Sequence, residues 1–126
     1  GHVLLIKRKV APGKGLWALP GGFVNQDETL IDAALRELKE ETNIRVPPAV
    51  LRGAIKSSQI FDKPDRSLRG RTITNCYFID LGYATQLPSV KGSDDAEDAK
   101  WVPISQVDSE YMFEDHFGIC SYFLGI

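Results

Sequence analysis

The sequence is poor in cysteine, in long apolar runs and in excess charge of either sign. Its 126 residues include two cysteines, Cys76 and Cys120, which are too few for a disulfide framework and lack the spacing of a zinc site. We therefore expect both cysteines in the core and the protein in a reducing compartment, the cytoplasm. No apolar run approaches the roughly 18 to 20 residues of a membrane span, and the first residues do not resemble a signal peptide.

The charge balance excludes two classes of partner. Fifteen Lys and Arg residues against 17 Asp and Glu residues give a formal net charge of −2. Proteins that bind duplex nucleic acid or an anionic membrane need clustered excess basic charge. We therefore expect no nucleic acid and no membrane partner, but a small molecule bound to one domain spanning residues 1–126.

Hydrophobic and β-branched patterns predict a mixed α/β outline. The first strand is Val3–Val10, and because almost nothing precedes it, we expect that an upstream strand is missing, either because the chain is part of a larger polypeptide or because the residues before it are disordered. A short apolar segment, Leu16–Leu19, closes at the turn Pro20–Gly21–Gly22. The remaining predicted elements are strands at Val50–Ile55, Thr72–Leu81 and Lys100–Val102, a polar loop at Lys56–Arg71 and a closing helix at Phe113–Leu124.

The most clearly predicted element is a helix from Leu30 to about Thr42, with Thr29 as N-cap and Asp32 as its capping partner. At about 100° per residue, its glutamates fall on one stripe beside the apolar core-facing stripe. These glutamates are Glu37, Glu40 and Glu41. Like charges at these spacings repel, so a divalent cation is the expected compensation, and carboxylate ligands suit Mg²⁺ or Mn²⁺.

A glutamate-rich helix end is usually a solvated face, but the wider spacing argues for a site. The pattern consists of Gly22, Glu28, Arg36, Glu37, Glu40 and Glu41, a coincidence expected by chance in on the order of one chain in 10⁵. It resembles the Nudix box. Asn43 stands where that family has Gly, at a left-handed helix end that Asn also tolerates.

The resemblance extends over nearly the whole chain and implies a Nudix-type α/β/α sandwich with a mixed sheet between helices. Segments 59–62, 65–74 and 111–117 are similar to the ADP-ribose pyrophosphatase branch, and most of all to the Nudix half of bifunctional bacterial proteins that carry a nicotinamide mononucleotide adenylyltransferase domain. The implied partners are therefore ADP-ribose, a fused adenylyltransferase domain and, since family members commonly dimerise, a second copy.

The resemblance also implies roles for individual residues. Metal would be held by Gly21, through its carbonyl, and by Glu37, Glu40 and Glu41. The catalytic set comprises Glu28 and Arg36 as supports, Glu40 and Glu41, and a general base that is a box glutamate, Glu114 or Asp115. Substrate would be bound by Gln59, Phe61, Arg66, Arg69 and Arg71. The competing interpretation of these arginines is a solvated basic loop. His116 is expected to be structural, and the run Asp94, Asp95, Glu97, Asp98 to be a surface loop rather than a source of metal ligands.

Three functions stay open at this point. The first is Mg²⁺-dependent cleavage of ADP-ribose to AMP and ribose 5-phosphate. The second is a non-catalytic domain that senses ADP-ribose, although intact glutamates argue against it. The third is a Nudix hydrolase acting on other nucleotide derivatives.

Overall fold

In the part of the chain that the structure describes, two antiparallel sheets, three α-helices and two single-turn 3₁₀ helices make up the fold. A computed structural model describes residues 1–83 and 86–126. The strands are β1 (His2–Arg8), β2 (Trp17–Ala18), β3 (Ile55–Phe61), β4 (Thr74–Ile79) and β5 (Ala96–Pro103). The helices are α1 (Leu30–Thr42), α2 (Pro48–Gly53) and α3 (His116–Leu124), and two single-turn 3₁₀ helices, Ile104–Gln106 and Ser109–Tyr111, lead into α3.

Strand β1 is the centre of the larger sheet, whose order is β2-β1-β5. Leu4, Leu5 and Ile6 are all buried, as expected of a strand covered on both faces. Because successive side chains point to opposite faces, Leu4 packs in the cluster beside α1, whereas Leu5 packs with Cys120 of α3. The predicted α/β/α arrangement is therefore confirmed, with α1 and α3 on opposite faces.

The strand pairs named above are all antiparallel, in both sheets. A parallel component is supplied by an isolated bridge between Trp17 and Met112. Trp17 and Trp101 are both partly buried against core clusters. Cys120 is buried, Cys76 is partly buried, and both are free thiols. In residues 1–83 and 86–126 no helix is both long and apolar enough to span a membrane.

Helix α1 has the predicted ends. The Thr29 hydroxyl accepts a hydrogen bond from the backbone N–H of Asp32 at 3.2 Å, and Asn43 adopts the left-handed conformation, with φ 49° and ψ 33°. The Asn43 amide also donates to the Lys91 carbonyl and to Ser93 Oγ, both at 2.8 Å. The Asp32 carboxylate does not reciprocate as a capping partner, because it pairs with Arg52 of α2.

The prediction of a strand at Val50–Ile55 was wrong, since most of that segment is the short helix α2. Pro48 occupies the first turn, where its missing N–H is not needed and its fixed φ suits a helix. Leu51 is buried against the α1 side of the core, and Val50 is exposed. The β-branched residues had suggested a strand, but the proline pair decides the local structure.

The loop predicted at Lys56–Arg71 was wrong over its first part. Residues 55–61 form β3, which pairs antiparallel with β4 from Ile55↔Ile79 to Phe61↔Thr74. The strand was missed because its middle residues are mostly exposed, so they carry little apolar alternation. The true loop is residues 62–73, which joins the two strands.

The ends of other predicted elements also differ in the structure. Strand β1 ends at Arg8 rather than Val10, and α3 begins at His116 rather than Phe113. The acidic run was expected to be a surface loop, but β5 already begins at Ala96 and includes Glu97 and Asp98. Both acidic side chains are exposed, whereas Ala96 is buried, so the strand is anchored through its small residues.

Candidate functional site

The three glutamates of α1 differ sharply in exposure. Glu41 is buried, with 4% of its surface exposed. The side chain of Glu37 is 14% exposed and that of Glu40 is 43% exposed. The predicted stripe of glutamates therefore runs from the buried Glu41 to the exposed Glu40. A ligand bound along it would contact, at the Glu41 end, a side chain that burial holds in place.

Arg36 supplies the positive charge that this stripe needs. Its Nε and Nη2 donate to the two carboxylate oxygens of Glu28 at 3.0 and 2.6 Å, and its Nη1 donates to Glu37 at 2.7 Å and to Glu40 at 3.2 Å. Nη2 also donates to the Phe23 carbonyl at 3.0 Å. The hydrogen bonds from Arg36 lower the pKa of Glu28, and in turn Glu28 and Glu37 raise the pKa of Arg36. One guanidinium thus connects α1 to the loop before it.

Gly22 makes room for the carboxylate of Glu37. A Cβ placed on Gly22 would lie 2.5 Å from Glu37 Cδ and 2.7 Å from each carboxylate oxygen, distances at which something must move. At Gly21 an added Cβ would meet nothing within 4 Å. The two neighbouring glycines therefore differ in role, and the close approach belongs to Gly22.

Glu41 is tied to the same loop by a different contact. Its Oε1 accepts a hydrogen bond of 2.7 Å from the backbone N–H of Gly21. Burial raises the pKa of Glu41 to about 7, the Gly21 hydrogen bond opposes this, and the nearby carboxylates of Glu37, Asp95 and Asp94 raise it further. A buried acid with several acidic neighbours is the environment that a divalent cation would relieve.

The donor set fits Mg²⁺ or Mn²⁺ in its chemistry, because carboxylate oxygens converge around a turn that leaves space for them. Among the described residues, however, no group of three His, Cys, Asp or Glu side chains is already arranged to hold a metal ion. Arg36 donates to two of the three glutamates instead. A cation and Arg36 would therefore share Glu37 and Glu40 as partners.

The segment before α3 holds the loop 62–73 through two acidic side chains. Glu114, in a left-handed conformation with φ 46°, accepts a 2.8 Å hydrogen bond from the Leu68 N–H. Asp115 binds Arg66 through Nε and Nη2, both at 2.8 Å, and the Arg66 side chain is 3% exposed. Glu114 and Asp115, the candidate bases, are thus both engaged by the loop that carries the predicted substrate arginines.

Arg66 is not the solvated loop residue of the competing interpretation. Besides Asp115, its Nη1 donates to Thr74 Oγ1 at 2.7 Å, so the guanidinium is held inside the protein. Arg69 and Arg71 are exposed. Arg71 donates to the Asp62 carbonyl at 2.6 Å, and Arg69 lies over the ring of Phe23, 5.7 Å from its centroid. Arg69 therefore reaches the residue that follows Gly22.

Gln59 and Phe61 contact α3. Gln59 Oε1 accepts a 3.1 Å hydrogen bond from the Tyr122 hydroxyl. The ring of Phe61 packs edge-to-face with Tyr122, with centroids 5.7 Å apart, and also contacts Phe123. Among the predicted substrate residues, Arg69 lies over Phe23, next to the Gly21–Gly22 turn. Gln59 and Phe61 instead contact Tyr122 and Phe123 of α3, and we call these four residues the aromatic surface.

Sequence reasoning missed two neighbours of the site, Arg8 and Phe113. The Arg8 guanidinium lies over the Phe113 ring, 4.0 Å from its centroid, and its Nε donates to the Pro12 carbonyl at 2.8 Å. Phe113 is buried, and its N–H donates to the Trp17 carbonyl at 2.8 Å. The signal in the sequence was a basic residue at the end of an apolar strand. Such residues are too common in proteins to identify a functional site.

His116 has a structural contact. Its Nδ1 accepts a 3.0 Å hydrogen bond from the Leu19 N–H, which requires a neutral ring protonated on the other nitrogen. Burial lowers the pKa of His116 to about 4, with smaller effects of Asp115 and Glu114, which raise it, and of Arg66 and Arg69, which lower it. The expected structural role of His116 agrees with this geometry.

Comparisons with known proteins agree on one family. A sequence model of the NUDIX domain matches residues 1–121. An ADP-ribose pyrophosphatase of Methanocaldococcus jannaschii is 35% identical over 119 residues, which are 90% of this chain and 64% of that protein. The chain thus spans under two thirds of that relative.

Two solved structures are also similar. A bifunctional NMN adenylyltransferase/ADP ribose pyrophosphatase of Francisella tularensis, complexed with AMP and a manganese ion, has a TM-score of 0.92 and 42% identity. The match covers 98% of this chain and 37% of that one. The NUDIX domain of Shewanella oneidensis NrtR, complexed with ADP ribose, has a TM-score of 0.73 and 31% identity, over 94% of this chain and 72% of that one.

Proposed function

Because the chain belongs to the NUDIX domain family, we propose that it is a divalent-metal-dependent pyrophosphohydrolase that cleaves ADP-ribose to AMP and ribose 5-phosphate. The observation that carries this proposal is the placement of the Glu37 carboxylate against Gly22, beside the buried Glu41. A solvated acidic face needs no such close approach. The similarity to a M. jannaschii ADP-ribose pyrophosphatase supports the choice of substrate.

Glu37, Glu40, Glu41 and the Gly21 carbonyl would hold Mg²⁺ or Mn²⁺. When bound, such a cation neutralises phosphate charge and lowers the pKa of a coordinated water. Arg36 and Glu28 orient the glutamates, because the guanidinium holds Glu28, Glu37 and the Phe23 carbonyl together. These two residues act by positioning the ligands.

Glu114 is our proposed general base. Its side chain is 8% exposed and its Oε2 accepts from the Leu68 N–H, so proton transfer to Glu114 would require release of this contact with the loop 62–73. Asp115 is less suited, since both its oxygens are bound by Arg66. Arg69 and Arg71, which are exposed on that loop, are proposed to contact the substrate, together with Gln59 and Phe61 at the aromatic surface.

The experiment is a substrate panel of ADP-ribose, NADH, diadenosine polyphosphates and oxidised dGTP, each with MgCl₂, with MnCl₂ and with EDTA. We expect metal-dependent release of AMP from ADP-ribose at the highest kcat/KM of the panel. Arg52→Gln replaces an arginine of α2, outside the proposed site, and as a control variant it should keep full activity. Preference for another substrate of the panel would overturn the choice of ADP-ribose and leave the hydrolase assignment in place.

The similarity to the NrtR NUDIX domain favours a second candidate, a domain that binds ADP-ribose without cleaving it. The two functions separate in one measurement, in which ADP-ribose binding and AMP release are followed in the same sample. Tight binding with no AMP released in either metal would establish the sensor. Turnover excludes it.

We also propose that residues 1–126 act as one domain of a longer cytoplasmic chain that carries an adenylyltransferase domain. The support is the extent of the F. tularensis match, which covers nearly all of this chain but 37% of that protein. We also propose a homodimer, because members of this family commonly dimerise. Sedimentation equilibrium tests it, and a monomer throughout the micromolar range would exclude it.

A further inference from the structure

The guanidinium of Arg66 joins three segments of the protein. Its Nε and Nη2 donate to the two oxygens of the Asp115 carboxylate, just before α3, and its Nη1 donates to Thr74 Oγ1 at the start of β4. Nη1 also donates to the Thr72 carbonyl at 3.4 Å. The side chain of Arg66 is 3% exposed and that of Asp115 is 34% exposed. A largely buried ion pair therefore connects the loop 62–73 to β4 and to the segment before α3.

Stability alone is a weak reason for such an ion pair. Taking two charges out of water costs free energy, and apolar side chains of similar volume often stabilise a protein interior as well or better. A forked guanidinium adds geometry, because two parallel hydrogen bonds fix a carboxylate in both position and angle. The pair between Arg66 and Asp115 is thus suited to orienting the backbone that carries Asp115.

Glu114, the residue before Asp115, has an unusual backbone conformation. Its φ is 46°, in the left-handed region that a glutamate rarely adopts. Such conformations persist where neighbouring contacts hold them, and they are concentrated at functional sites. The His116 N–H donates to the Phe113 carbonyl across this turn, and Asp115 is held by its ion pair. Glu114 is therefore fixed by contacts of the residues on both of its sides.

The turn directs the Glu114 carboxylate toward the loop 62–73. One carboxylate oxygen accepts from the Leu68 N–H at 2.8 Å, and the other lies 3.7 Å from Arg69 Nη2. Arg66 and Glu114 both line one open cavity of about 370 Å³. The side chain that the turn fixes is thus the proposed general base, and it borders a space that is open to a ligand.

We propose that Arg66 is a positioning residue, which acts through Asp115 to hold Glu114 at the angle that proton transfer requires. Arg66 orients the Asp115 carboxylate, and the Asp115 backbone in turn fixes the left-handed conformation of Glu114. This role rests on the proposed function, because it needs Glu114 as the general base. It differs from a substrate contact of Arg66 in one measurable way, since positioning affects kcat whereas a contact made equally in ground and transition states affects KM.

The test measures kcat and KM for ADP-ribose with MgCl₂ in the whole chain. Arg66→Lys keeps the charge without the fork, and Asp115→Asn keeps one acceptor oxygen without the charge. Asp32→Asn is the matched control, because Asp32 pairs with Arg52 outside the proposed site. We expect both test variants to lower kcat about tenfold or more with KM within about twofold of wild type, and the control to change neither.

A double-mutant cycle separates positioning from a merely structural role. Glu114→Gln removes the proposed proton acceptor, so in that background Arg66→Lys and Asp115→Asn should each lower kcat by less than about twofold. Thermal melting of every single and double variant reports on folding. If Arg66→Lys does not fold, Asp115→Asn, which changes the more exposed member of the pair, completes the cycle.

Hydrogen exchange gives a readout that needs neither metal nor turnover. The Leu68 N–H is protected by its hydrogen bond to Glu114. If the ion pair holds the turn, Asp115→Asn should speed exchange of this N–H about tenfold or more, because the acceptor is no longer held in place. Asp32→Asn should leave the exchange rate at its wild-type value.

The outcomes keep this role apart from the proposed function. A loss of kcat that disappears in the Glu114→Gln background supports positioning. A raised KM with unchanged kcat, or an equal loss of kcat in both backgrounds, overturns positioning and leaves the hydrolase assignment in place. Wild-type kcat in Glu114→Gln overturns both the base assignment and the role of Arg66.

If the wild-type protein cleaves no ADP-ribose, the proposed function fails and hydrogen exchange decides the structural claim by itself. Faster exchange of the Leu68 N–H in Asp115→Asn supports the control of Glu114 by the ion pair. An exchange rate equal to that of wild type overturns it.

Discussion

The Glu37 carboxylate lies so close to Gly22 that a methyl group on Gly22 would fall 2.5 Å from Glu37 Cδ. The helix that carries the glutamates and the loop that precedes it therefore fit together through the absence of one side chain. We expect Gly22→Ala to displace Glu37 and to lower kcat about 10- to 100-fold, the range typical for loss of a group that positions a ligand.

Gly21→Ala is the matched control for that variant, since its added Cβ meets nothing within 4 Å and its N–H to Glu41 is kept. The measurement is steady-state hydrolysis of ADP-ribose, with thermal melting as the check on folding. Equal activities of the Gly22→Ala and Gly21→Ala variants would show that the close contact between Gly22 and Glu37 has no effect on hydrolysis.

Arg36→Lys tests whether the guanidinium fork positions the glutamates. Lysine keeps the charge but cannot reach Glu28, Glu37 and the Phe23 carbonyl in one geometry. We expect kcat to fall about 10-fold or more with a small change in melting temperature. Arg52→Lys, which has an exposed acidic partner on α1, should change neither. Full activity of Arg36→Lys would mean that charge alone is needed.

Glu41→Gln should remove nearly all turnover in a folded protein, because a neutral amide is a poorer metal ligand. The amide oxygen can still accept from the Gly21 N–H, so the loop contact is kept. Circular dichroism and AMP release measure the two properties. A folded variant with near wild-type kcat would remove Glu41 from the metal site.

The same residue predicts a pH dependence of stability in EDTA. Its pKa is raised from 4.5 to about 7, so between these values the folded protein holds a proton that the unfolded chain has released. The contribution of Glu41 to the free energy of unfolding should therefore fall as pH rises through this window, by about 3 kcal/mol in total, and then level off. MgCl₂ added in excess of the EDTA, but not NaCl at equal ionic strength, should reverse the loss. A Glu41→Gln protein with the same slope as wild type would contradict this origin.

His116 predicts the opposite slope. Its pKa falls from 6.5 to about 4, so in that window the unfolded chain binds a proton that the folded protein does not. The contribution of His116 to the free energy of unfolding should decrease by about 3 kcal/mol as pH is lowered from 6.5 to 4. This effect opposes that of Glu41 in the wild-type protein. Each effect is therefore measured as the difference in the free energy of unfolding between wild type and the variant that lacks the titrating group.

His116→Asn is the informative variant, since its side-chain oxygen can replace Nδ1 as acceptor for the Leu19 N–H without titrating. Because Glu41 titrates in both proteins, urea unfolding across pH 4 to 7 should show that the free energy of unfolding of His116→Asn, relative to wild type, rises by about 3 kcal/mol as pH falls from 6.5 to 4. An unchanged difference between pH 4 and 6.5 would place the titrating group elsewhere.

Much of the site's helix was predictable because its signals are local. The bounds Leu30–Thr42, the Thr29 cap and the left-handed Asn43 all depend on neighbours within four residues. The spacing of the glutamates then fixes which face they share. Strand β3 was not predictable in the same way, because its stability comes from backbone pairing with β4, and its exposed polar side chains carry no apolar period.

The contacts between distant segments were also beyond sequence reasoning. Nothing near Arg66 in the sequence indicates that Asp115 will bind its guanidinium and bury it. Similarly, Arg8 and Arg69 meet on Phe113 through tertiary packing alone. Residue type indicated that these arginines suit phosphate, but which of them face inward depends on the fold.

The hydrogen bond from Leu19 to His116 spans 97 positions in the sequence, and the bond from Phe113 to Trp17 lies beside it. The turn that contacts Glu37 and Glu41 of α1 is thus braced by residues that are translated well after it, since His116 lies 97 positions beyond Leu19. During synthesis on the ribosome, α1 can form early from local interactions, but the turn cannot reach its final geometry until residues 113–116 have emerged. The candidate site of a nascent chain therefore stays incomplete until α3 is free to dock.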